Sequence, residues 1–280
     1  MKLQWDKYEL DFEERTYIMG VLNVTPDSFS DGGKYYSFDR AVEHGLEMAE
    51  DGADILDVGG ESTRPFSQRV SVQEEIDRVV PVIEALNKEV NLPISIDTYK
   101  SEVAKYALDA GASIVNDISA LRFDPELGPL VAERGVPVIL MHMKGRPEDM
   151  QKDPQYDDVV GEITEFLRDA VARATQSGIP KEHVVVDPGI GFGKTFDHNL
   201  VILRDLRRFE GLDRPLLVGT SNKSFIGHVL ERPVEERAVG TMATVAVAVM
   251  NGAHMVRVHD VKMAVDTVRM VDAIKRGSAQ

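Results

Sequence analysis

The feature that most constrains the fold is a pattern that recurs along the whole chain: a short apolar segment, a polar residue at its end, a loop and then an amphipathic segment. The first instance covers residues 18–33, where an apolar run typical of a buried strand gives way at Asn23 to a loop rich in Pro, Asp, Ser and Gly. Eight such strand–helix units follow one another without a linker. The repetition predicts an α/β protein, a (β/α)8 TIM barrel, as a single domain over residues 1–280. The functional site is then expected where the carboxyl ends of the strands converge.

Apolar runs and helix-stop residues set the expected boundaries of these units. After the opening strand, we predict strands at residues 53–58, 93–96, 113–115, 136–140, 184–186, 216–218 and 255–258. We predict helices at residues 38–51, 72–90, 101–110, 125–134, 158–177, 199–209, 238–250 and from Asp260 to about 276. Residues 3–12 alternate around a break and predict a short N-terminal hairpin that covers one end of the core. A doubly wound open sheet is the alternative, but it would carry a glycine fingerprint after the first strand, and that strand has none.

Composition excludes several classes of partner and chemistry. The formal net charge of -15 opposes binding to nucleic acid or to an anionic membrane, so an anionic ligand would need local cations. The chain has no Cys, which excludes disulfides and Cys nucleophiles. The N-terminus lacks a signal-peptide pattern, and the longest apolar run, 242–250, is shorter than the ~20 residues of a membrane span. We therefore expect a cytoplasmic protein.

Polar residues cluster at the predicted strand ends. They are Asn23, Thr63, Arg64, Asp97, Asn116, Asp187, Ser221, Lys223, Arg257 and His259. The basic members can form an anion site, whereas the Asp and Asn side chains offer acceptors for a ligand rich in N–H donors. Asn23 with a nearby Asp could also hold Mg²⁺ through oxygen atoms, with ligand phosphates completing the shell.

Each of these residues also has a purely structural interpretation. An Asp or Asn at a strand end often caps a helix or forms a turn. We predict that Asp117 and Asp260 each cap the helix that follows. Arg257 lies inside a predicted buried strand, where it requires either a bound anion or an ion pair with an Asp of a neighbouring strand. The glycines of residues 189–193 depart from a nucleotide phosphate loop and are expected to shape a turn near a ligand.

Taken together, these stretches resemble the dihydropteroate synthases of the pterin-binding barrel family. The matching segments are residues 20–33 (GVLNVTPDSFSDGG), 59–65 (GGESTRP), 96–98 (IDT), 115–117 (VND), 186–194 (VDPGIGFGK), 221–224 (SNKS) and 256–260 (VRVHD). The resemblance implies condensation of 6-hydroxymethyl-7,8-dihydropterin diphosphate with 4-aminobenzoate, with release of diphosphate. It also implies a homodimer joined through helices late in the chain.

The resemblance assigns a role to each matching residue. Asn23 would ligate Mg²⁺ together with the diphosphate, which Thr63, Arg257 and His259 would hold. The pterin would lie against Asp97, Asn116, Asp187 and Lys223, of which Asp97, Asp187 and Lys223 are the expected catalytic residues. The 4-aminobenzoate site would be shaped by Phe29, Arg64, Pro65, Phe192 and Ser224. Two loops, 25–33 and 61–71, would be mobile and close over that site.

Two positions depart from the family pattern. Asn222 stands where the family usually has Arg, and Phe66 follows Pro65 where the family commonly has Gly. These departures support one alternative, a non-catalytic pterin-binding paralogue. The second alternative is a methyltetrahydrofolate–corrinoid methyltransferase, which would share the pterin-facing Asp and Asn but would not need the loop after Asn23 or the SNKS segment.

Overall fold

The computed structural model describes residues 1–25, 33–62, 69–147 and 149–278, with residues 33–37 described by their backbone alone. The strands are β1 (Lys2–Trp5), β2 (Tyr8–Asp11), β3 (Tyr17–Asn23), β4 (Ile55–Gly59), β5 (Ile94–Asp97), β6 (Ile114–Asp117), β7 (Val138–Met141), β8 (Val184–Asp187), β9 (Leu217–Val218) and β10 (Met255–Val258). The helices are α1 (Gly33–Glu50), α2 (Val72–Glu89), α3 (Ser101–Asp109), α4 (Leu127–Arg134), α5 (Val159–Gln176), α6 (Phe196–Arg204), α7 (Ser224–Leu230), α8 (Ala238–Met250) and α9 (Val261–Arg276). Short 3₁₀ segments occupy Lys181–His183, Leu206–Leu212 and Val234–Glu236.

Eight parallel strands form the barrel in the order β8-β7-β6-β5-β4-β3-β10-β9. A parallel bridge between Val186 and Leu216 joins the two ends of this order, so the sheet closes on itself. The predicted (β/α)8 barrel is confirmed, and the open doubly wound sheet is wrong. No described helix has both the length and the apolar character needed to span a lipid bilayer.

The N-terminal hairpin, β1 paired antiparallel with β2, covers the amino-terminal end of the barrel as predicted. Apolar side chains of the hairpin pack against the lowest inward-facing layer of the strands. This cluster comprises Leu3, Trp5, Leu10, Phe12, Tyr17, Met19, Ile55, Ile114, Ile139, Val185, Leu217 and Met255. With that end of the barrel filled by apolar side chains, the opposite end is left for the site.

Polar side chains form the layer above this apolar cluster. Because successive inward positions along a strand lie two residues apart, Ile55 is followed by Asp57 and Met255 by Arg257. Strand pairing sets Asp97 beside Gly59 on one side and beside Asn116 on the other. The upper half of the barrel interior is therefore charged and polar.

Most predicted boundaries shift by one to three residues, and the shifts at the strand ends have a common cause. β5 and β8 run on to Asp97 and Asp187, and β6 runs on to Asp117. These polar residues were expected just after their strands, but their backbones remain paired in the sheet. Strand pairing is made by backbone N–H and C=O groups, so a polar side chain does not by itself end a strand.

Two helices begin before their predicted starts, and one predicted helix is divided. α1 begins at Gly33, ahead of the predicted 38. α6 begins at Phe196 because Thr195 accepts from the backbone N–H of His198 in a capping box, and a 3₁₀ segment takes up the rest of the predicted helix. Asp260 caps α9 as predicted by accepting from the Met263 N–H. Asp117 instead accepts from the Ser119 and Leu121 N–H groups, so it stabilises a turn and caps no helix.

Candidate active site

A cleft opens at the carboxyl ends of the barrel strands, where the sequence predicted the site. It is lined by Val21, Asp97, Asn116, Ile118, Met141, Asp187, Phe192, Gly219, Ser221, Lys223, Arg257 and His259. Strands β5, β6, β8 and β10 supply the charged and amide groups, and the loops after β8 and β9 supply Phe192 and Lys223. The structure thus brings together side chains that are widely separated in the sequence.

Arg257 forms the centre of a buried ion-pair network in this cleft. Its Nε donates to Oδ2 of Asp57 at 2.6 Å, and its Nη2 donates to Oδ2 of Asp97 at 2.7 Å. Arg257 thus forms ion pairs, as one alternative expected, but with two carboxylates on β4 and β5 and not with an Asp of a neighbouring strand. Within the described part of the chain, Nη1 makes no hydrogen bond, which leaves a donor for a further acceptor.

Asp57 is a member of this network that the sequence analysis did not predict. Its carboxylate is fully buried and also accepts from the amide of Asn116 at 3.0 Å. Its position in the sequence could have identified it, because a charged residue in the middle of an apolar strand, two positions after Ile55, faces the barrel interior as Ile55 does.

Two carboxylate oxygens in this network are buried without a hydrogen-bond partner among the described residues, Oδ1 of Asp57 and Oδ1 of Asp97. A buried acceptor without a donor is costly, and such atoms mark places where a ligand can donate. Burial raises the pKa of Asp97 to about 7, with Arg257 opposing the rise and Asp57 adding to it. The site can therefore supply both acceptors and, at lower pH, a protonated carboxyl.

Asp187 and Lys223 lie in the same cleft without touching. Oδ1 of Asp187 accepts from the Gly189 N–H at 2.6 Å, and the Lys223 ammonium donates to the Ile190 carbonyl and lies 4.6 Å from the centroid of the Phe192 ring. Within the described structure, no salt bridge joins Asp187 to Lys223. Each still shifts the pKa of the other: burial raises the pKa of Asp187, opposed by Lys223, and burial lowers the pKa of Lys223 to about 8, opposed by Asp187.

Ser221 and His259 form a second pair at the rim of the cleft. The hydroxyl oxygen of Ser221 lies 2.9 Å from Nδ1 of His259 and accepts from the His259 backbone N–H at 3.3 Å. This double contact orients the imidazole. Ser224, the first residue of α7, is exposed.

The three glycines of the loop after β8 shape a turn, as predicted. Gly189, Gly191 and Gly193 have φ values of 68°, 83° and 64°, which L-residues with a side chain rarely adopt. A Cβ at Gly189 would overlap the carbonyl oxygen of His142, and one at Gly193 would overlap that of Lys144. The loop is therefore packed tightly against the loop that follows β7.

The comparisons with known proteins agree with this geometry. The family described as "Pterin binding enzyme" matches residues 19–259. The chain belongs to the pterin-binding enzyme family. It is 49% identical over 265 residues to the dihydropteroate synthase of Bacillus subtilis, covering 95% of this chain and 90% of the relative.

Solved structures of pterin-binding enzymes share the fold over nearly the whole chain. The Yersinia pestis dihydropteroate synthase, solved as a sulfonamide drug complex, superposes with a TM-score of 0.93 at 43% identity and covers 99% of this chain and 100% of its own. The Xanthomonas albilineans dihydropteroate synthase, solved with 4-aminobenzoic acid, superposes with a TM-score of 0.92 at 45% identity, with 98% of each chain covered. The same enzyme has also been solved with 7,8-dihydropteroate.

Asn23, the expected magnesium ligand of this pterin-binding barrel, ends β3 beside Gly59. Its half-buried amide makes no hydrogen bond within the described residues, so its oxygen is available to a hard cation. No group of three or more His, Asp or Glu side chains in the described ranges is arranged to hold a metal. The donor set therefore fits an ion that takes one protein oxygen and completes its shell with phosphate and water.

Several predicted residues lie outside the described residues: Phe29, Thr63, Arg64, Pro65 and Phe66. The two loops expected to be mobile include residues 26–32 and 63–68, which also lie outside them. Asn222 is described, and its φ of 59° is a left-handed conformation that Asn tolerates better than most residues. Its backbone N–H donates to Oγ1 of Thr241 at 3.2 Å, and its carbonyl accepts from Arg237 at 2.9 Å.

Proposed function

We propose that this chain is a dihydropteroate synthase, which joins 6-hydroxymethyl-7,8-dihydropterin diphosphate to 4-aminobenzoate and releases 7,8-dihydropteroate and diphosphate. The observation that carries the proposal is the cleft in which Asp97, Asn116 and Asp187 face the same space as Lys223 and Arg257. Acceptors for an N–H-rich ring and cations for a leaving anion are thus within one site. The sequence and structural relatives are named for this activity.

The acceptor side of the cleft suits the pterin ring. A pterin presents an amino-pyrimidinone edge with several N–H donors, which carboxylates and an amide oxygen can accept. The unpartnered Oδ1 of Asp97 is an acceptor of this kind, and the amide of Asn116 is held in place by Asp57. We assign Asp97, Asn116 and Asp187 to the pterin edge, with Lys223 as a further contact of the pterin.

The cationic side of the cleft suits the diphosphate. As the bond between the pterin methylene carbon and the diphosphate oxygen breaks, its electron pair goes to the leaving oxygen, and cations must absorb that charge. In this proposal Nη1 of Arg257, the imidazole of His259 and the ammonium of Lys223, which line the same cleft, would supply the positive charge. Asn23 would hold Mg²⁺, which when bound would neutralise part of the diphosphate charge.

The two pterin-facing carboxylates can also stabilise the electron-poor methylene carbon that remains. Asp97 and Asp187 are both buried, where electrostatic interactions are stronger than in water. The lone pair of the 4-aminobenzoate nitrogen then forms the new C–N bond, and the nitrogen releases its proton. The arylamine is already neutral at pH 7, so this step needs no strong base.

The remaining assignments extend the same proposal. Thr63 would contact the diphosphate, and Phe29, Arg64, Pro65, Phe192 and Ser224 would shape the 4-aminobenzoate site. We also propose a single domain over residues 1–280, a cytoplasmic location and a homodimer formed through α8 and α9. Supporting the dimer, α8 has no charged residue, and Val239, Val247 and Met250 on it are exposed.

A diphosphate-release assay tests the proposed reaction. Purified protein with Mg²⁺ and both substrates is expected to release one diphosphate for each dihydropteroate formed, and a Lys223→Met variant is expected to release much less. Binding of a pterin analogue without diphosphate release would indicate the non-catalytic paralogue. Methyl transfer from methyltetrahydrofolate to a corrinoid, with no condensation, would indicate the methyltransferase.

A further inference from the structure

Lys194 is a buried lysine near the cleft that the proposed reaction does not use. It is 2% exposed, although it ends the glycine loop that follows β8. No carboxylate among the described residues forms a salt bridge with it. Burial of a lysine without an ion pair is costly, so its contacts at this place must offset that cost.

All the contacts of the Lys194 amine are with neutral groups of two loops. Nζ lies 2.9 Å from Nδ1 of His142, 2.9 Å from the carbonyl oxygen of Phe192 and 3.4 Å from that of His142. An ammonium fills these three contacts as a donor, and a neutral amine fills them by accepting from Nδ1–H of His142 and donating twice. The contacts therefore persist in either protonation state.

Lys194 is one of four side chains that hold four successive carbonyl groups of this loop. The carbonyls of residues 190, 191, 192 and 193 accept, in that order, from Lys223, Gln151, Lys194 and Tyr156. The Gln151 and Tyr156 bonds measure 2.6 Å and 2.8 Å. Each carbonyl of the segment is therefore fixed by a donor from outside its own backbone.

Phe192 connects this arrangement to the cleft. Its carbonyl is held by Lys194, and its ring lines the cleft 4.6 Å from the ammonium of Lys223. His142, the other partner of Lys194, is itself confined by the ring of Phe166, whose centroid lies 4.7 Å from that of the imidazole. A movement of the Phe192 carbonyl would therefore carry the ring away from the ligand-facing lysine.

We propose that Lys194 is a positioning residue, which acts through the Phe192 carbonyl and His142 to hold the Phe192 ring against the ligand in the cleft. This proposal rests on the proposed function only in taking 4-aminobenzoate as the ligand that the Phe192 ring contacts. A purely structural role for Lys194 would stabilise the two loops without affecting binding. The two possibilities differ in whether Lys194 and Phe192 act together on ligand affinity.

A double-mutant cycle measured by calorimetric titration with 4-aminobenzoate, on protein already saturated with a pterin analogue and diphosphate, tests the coupling. Lys194→Met and Phe192→Leu are each expected to weaken binding about tenfold, and the double variant is expected to weaken it about tenfold as well, because coupled residues are not additive. Independent roles would give about a hundredfold loss in the double variant. That additive result would overturn the proposal, as would unchanged affinity in Lys194→Met.

Two further variants complete the test. Asp272→Asn removes a buried hydrogen-bond acceptor of Thr16 at the opposite end of the barrel, and it is expected to lower the melting temperature with affinity unchanged. If Lys194→Met does not fold, Lys194→Gln replaces it in the cycle, and additive losses or unchanged affinity would again overturn the proposal. Failure of the wild type to bind any pterin analogue would count instead against the proposed function.

Discussion

Arg257 and Asp57 are joined across an intervening strand, with Nε of the arginine 2.6 Å from Oδ2 of the aspartate. Arg257 lies on β10 and Asp57 on β4, and β3 runs between them. The aspartate is fully buried, whereas the arginine side chain is 23% exposed. The contact therefore fixes the arginine side chain on the side that faces the barrel interior, and the rest of the guanidinium group remains accessible from the cleft.

Asp57→Asn is expected to destabilise the fold. Removal of one partner of a buried ion pair leaves the other charge less compensated, and we expect a loss of about 3 kcal/mol in the free energy of unfolding. Urea unfolding measures this loss. Asp205→Asn, which breaks an exposed pair with Arg204, is the control and should cost much less, because solvent screens an exposed ion pair. Equal losses in the two variants would contradict a stabilising role for the buried pair.

Asp187→Asn is expected to weaken pterin binding while leaving the fold intact. The amide oxygen can still accept from the Gly189 N–H, but the charge that faces the ligand is lost. We expect a loss of roughly 1.5–3 kcal/mol in binding free energy, the range for hydrogen bonds to charged groups. Calorimetric titration with a pterin analogue, beside thermal melts, measures both quantities. A lowered melting temperature with unchanged affinity would mean that the role of Asp187 is structural.

The activity is expected to fall as pH rises through about 8. Burial lowers the pKa of Lys223 to about 8, opposed by Asp187 and reinforced by Arg257, so the ammonium loses its proton in this range. The readout is the pH profile of kcat/KM. Lys223→Arg keeps its charge above this pH, so the alkaline fall near pH 8 should be absent from its profile. The same fall in both proteins would assign it to another group.

Protein stability gives an independent measurement of this pKa. The folded-state pKa of Lys223 lies below its ordinary value of 10.5, so the folded protein binds fewer protons than the unfolded chain between about pH 8 and 10.5. The contribution of Lys223 to the free energy of unfolding therefore rises with pH across that window. The Lys223→Met variant should lack this rise, so the free energy of unfolding of the wild type minus that of the variant should increase with pH across the window.

Light scattering is expected to give twice the 31.0 kDa mass of one chain. Val239 on α8 is 76% exposed, and Met270 and Ile274 on α9 are 62% and 57% exposed, which leaves an apolar surface on adjacent helices. Val239→Lys should produce the single-chain mass, because a symmetric interface would bury two lysines. Tyr106→Lys, at an exposed position on α3, is the matched control and should remain a dimer. A wild type that gives only 31.0 kDa at micromolar concentration would contradict the dimer.

The predictions from sequence were most accurate where a property depends on neighbours along the chain. α8, β10 and the cap of α9 by Asp260 lie where the apolar pattern and the capping residue placed them. The glycine turn at 189–193 was also recognised, because positive φ angles are a local requirement. Eight of the polar and aromatic residues predicted for the site line the cleft: Asp97, Asn116, Asp187, Phe192, Ser221, Lys223, Arg257 and His259.

The sequence by itself determined the barrel, its hairpin cover and the edge at which the polar residues meet, because periodicity and the geometry of parallel strands are sufficient for these. Only the tertiary structure decided which side chains touch. Arg257 finds Asp57 across 200 positions of sequence, and Lys194 finds His142 across 52. Such pairs leave no local pattern, since they depend on which inward-facing side chains the closed barrel and its loops bring within reach. The contacts of Asp57 and Lys194 therefore follow from the closed barrel and its loops and not from the sequence around either residue.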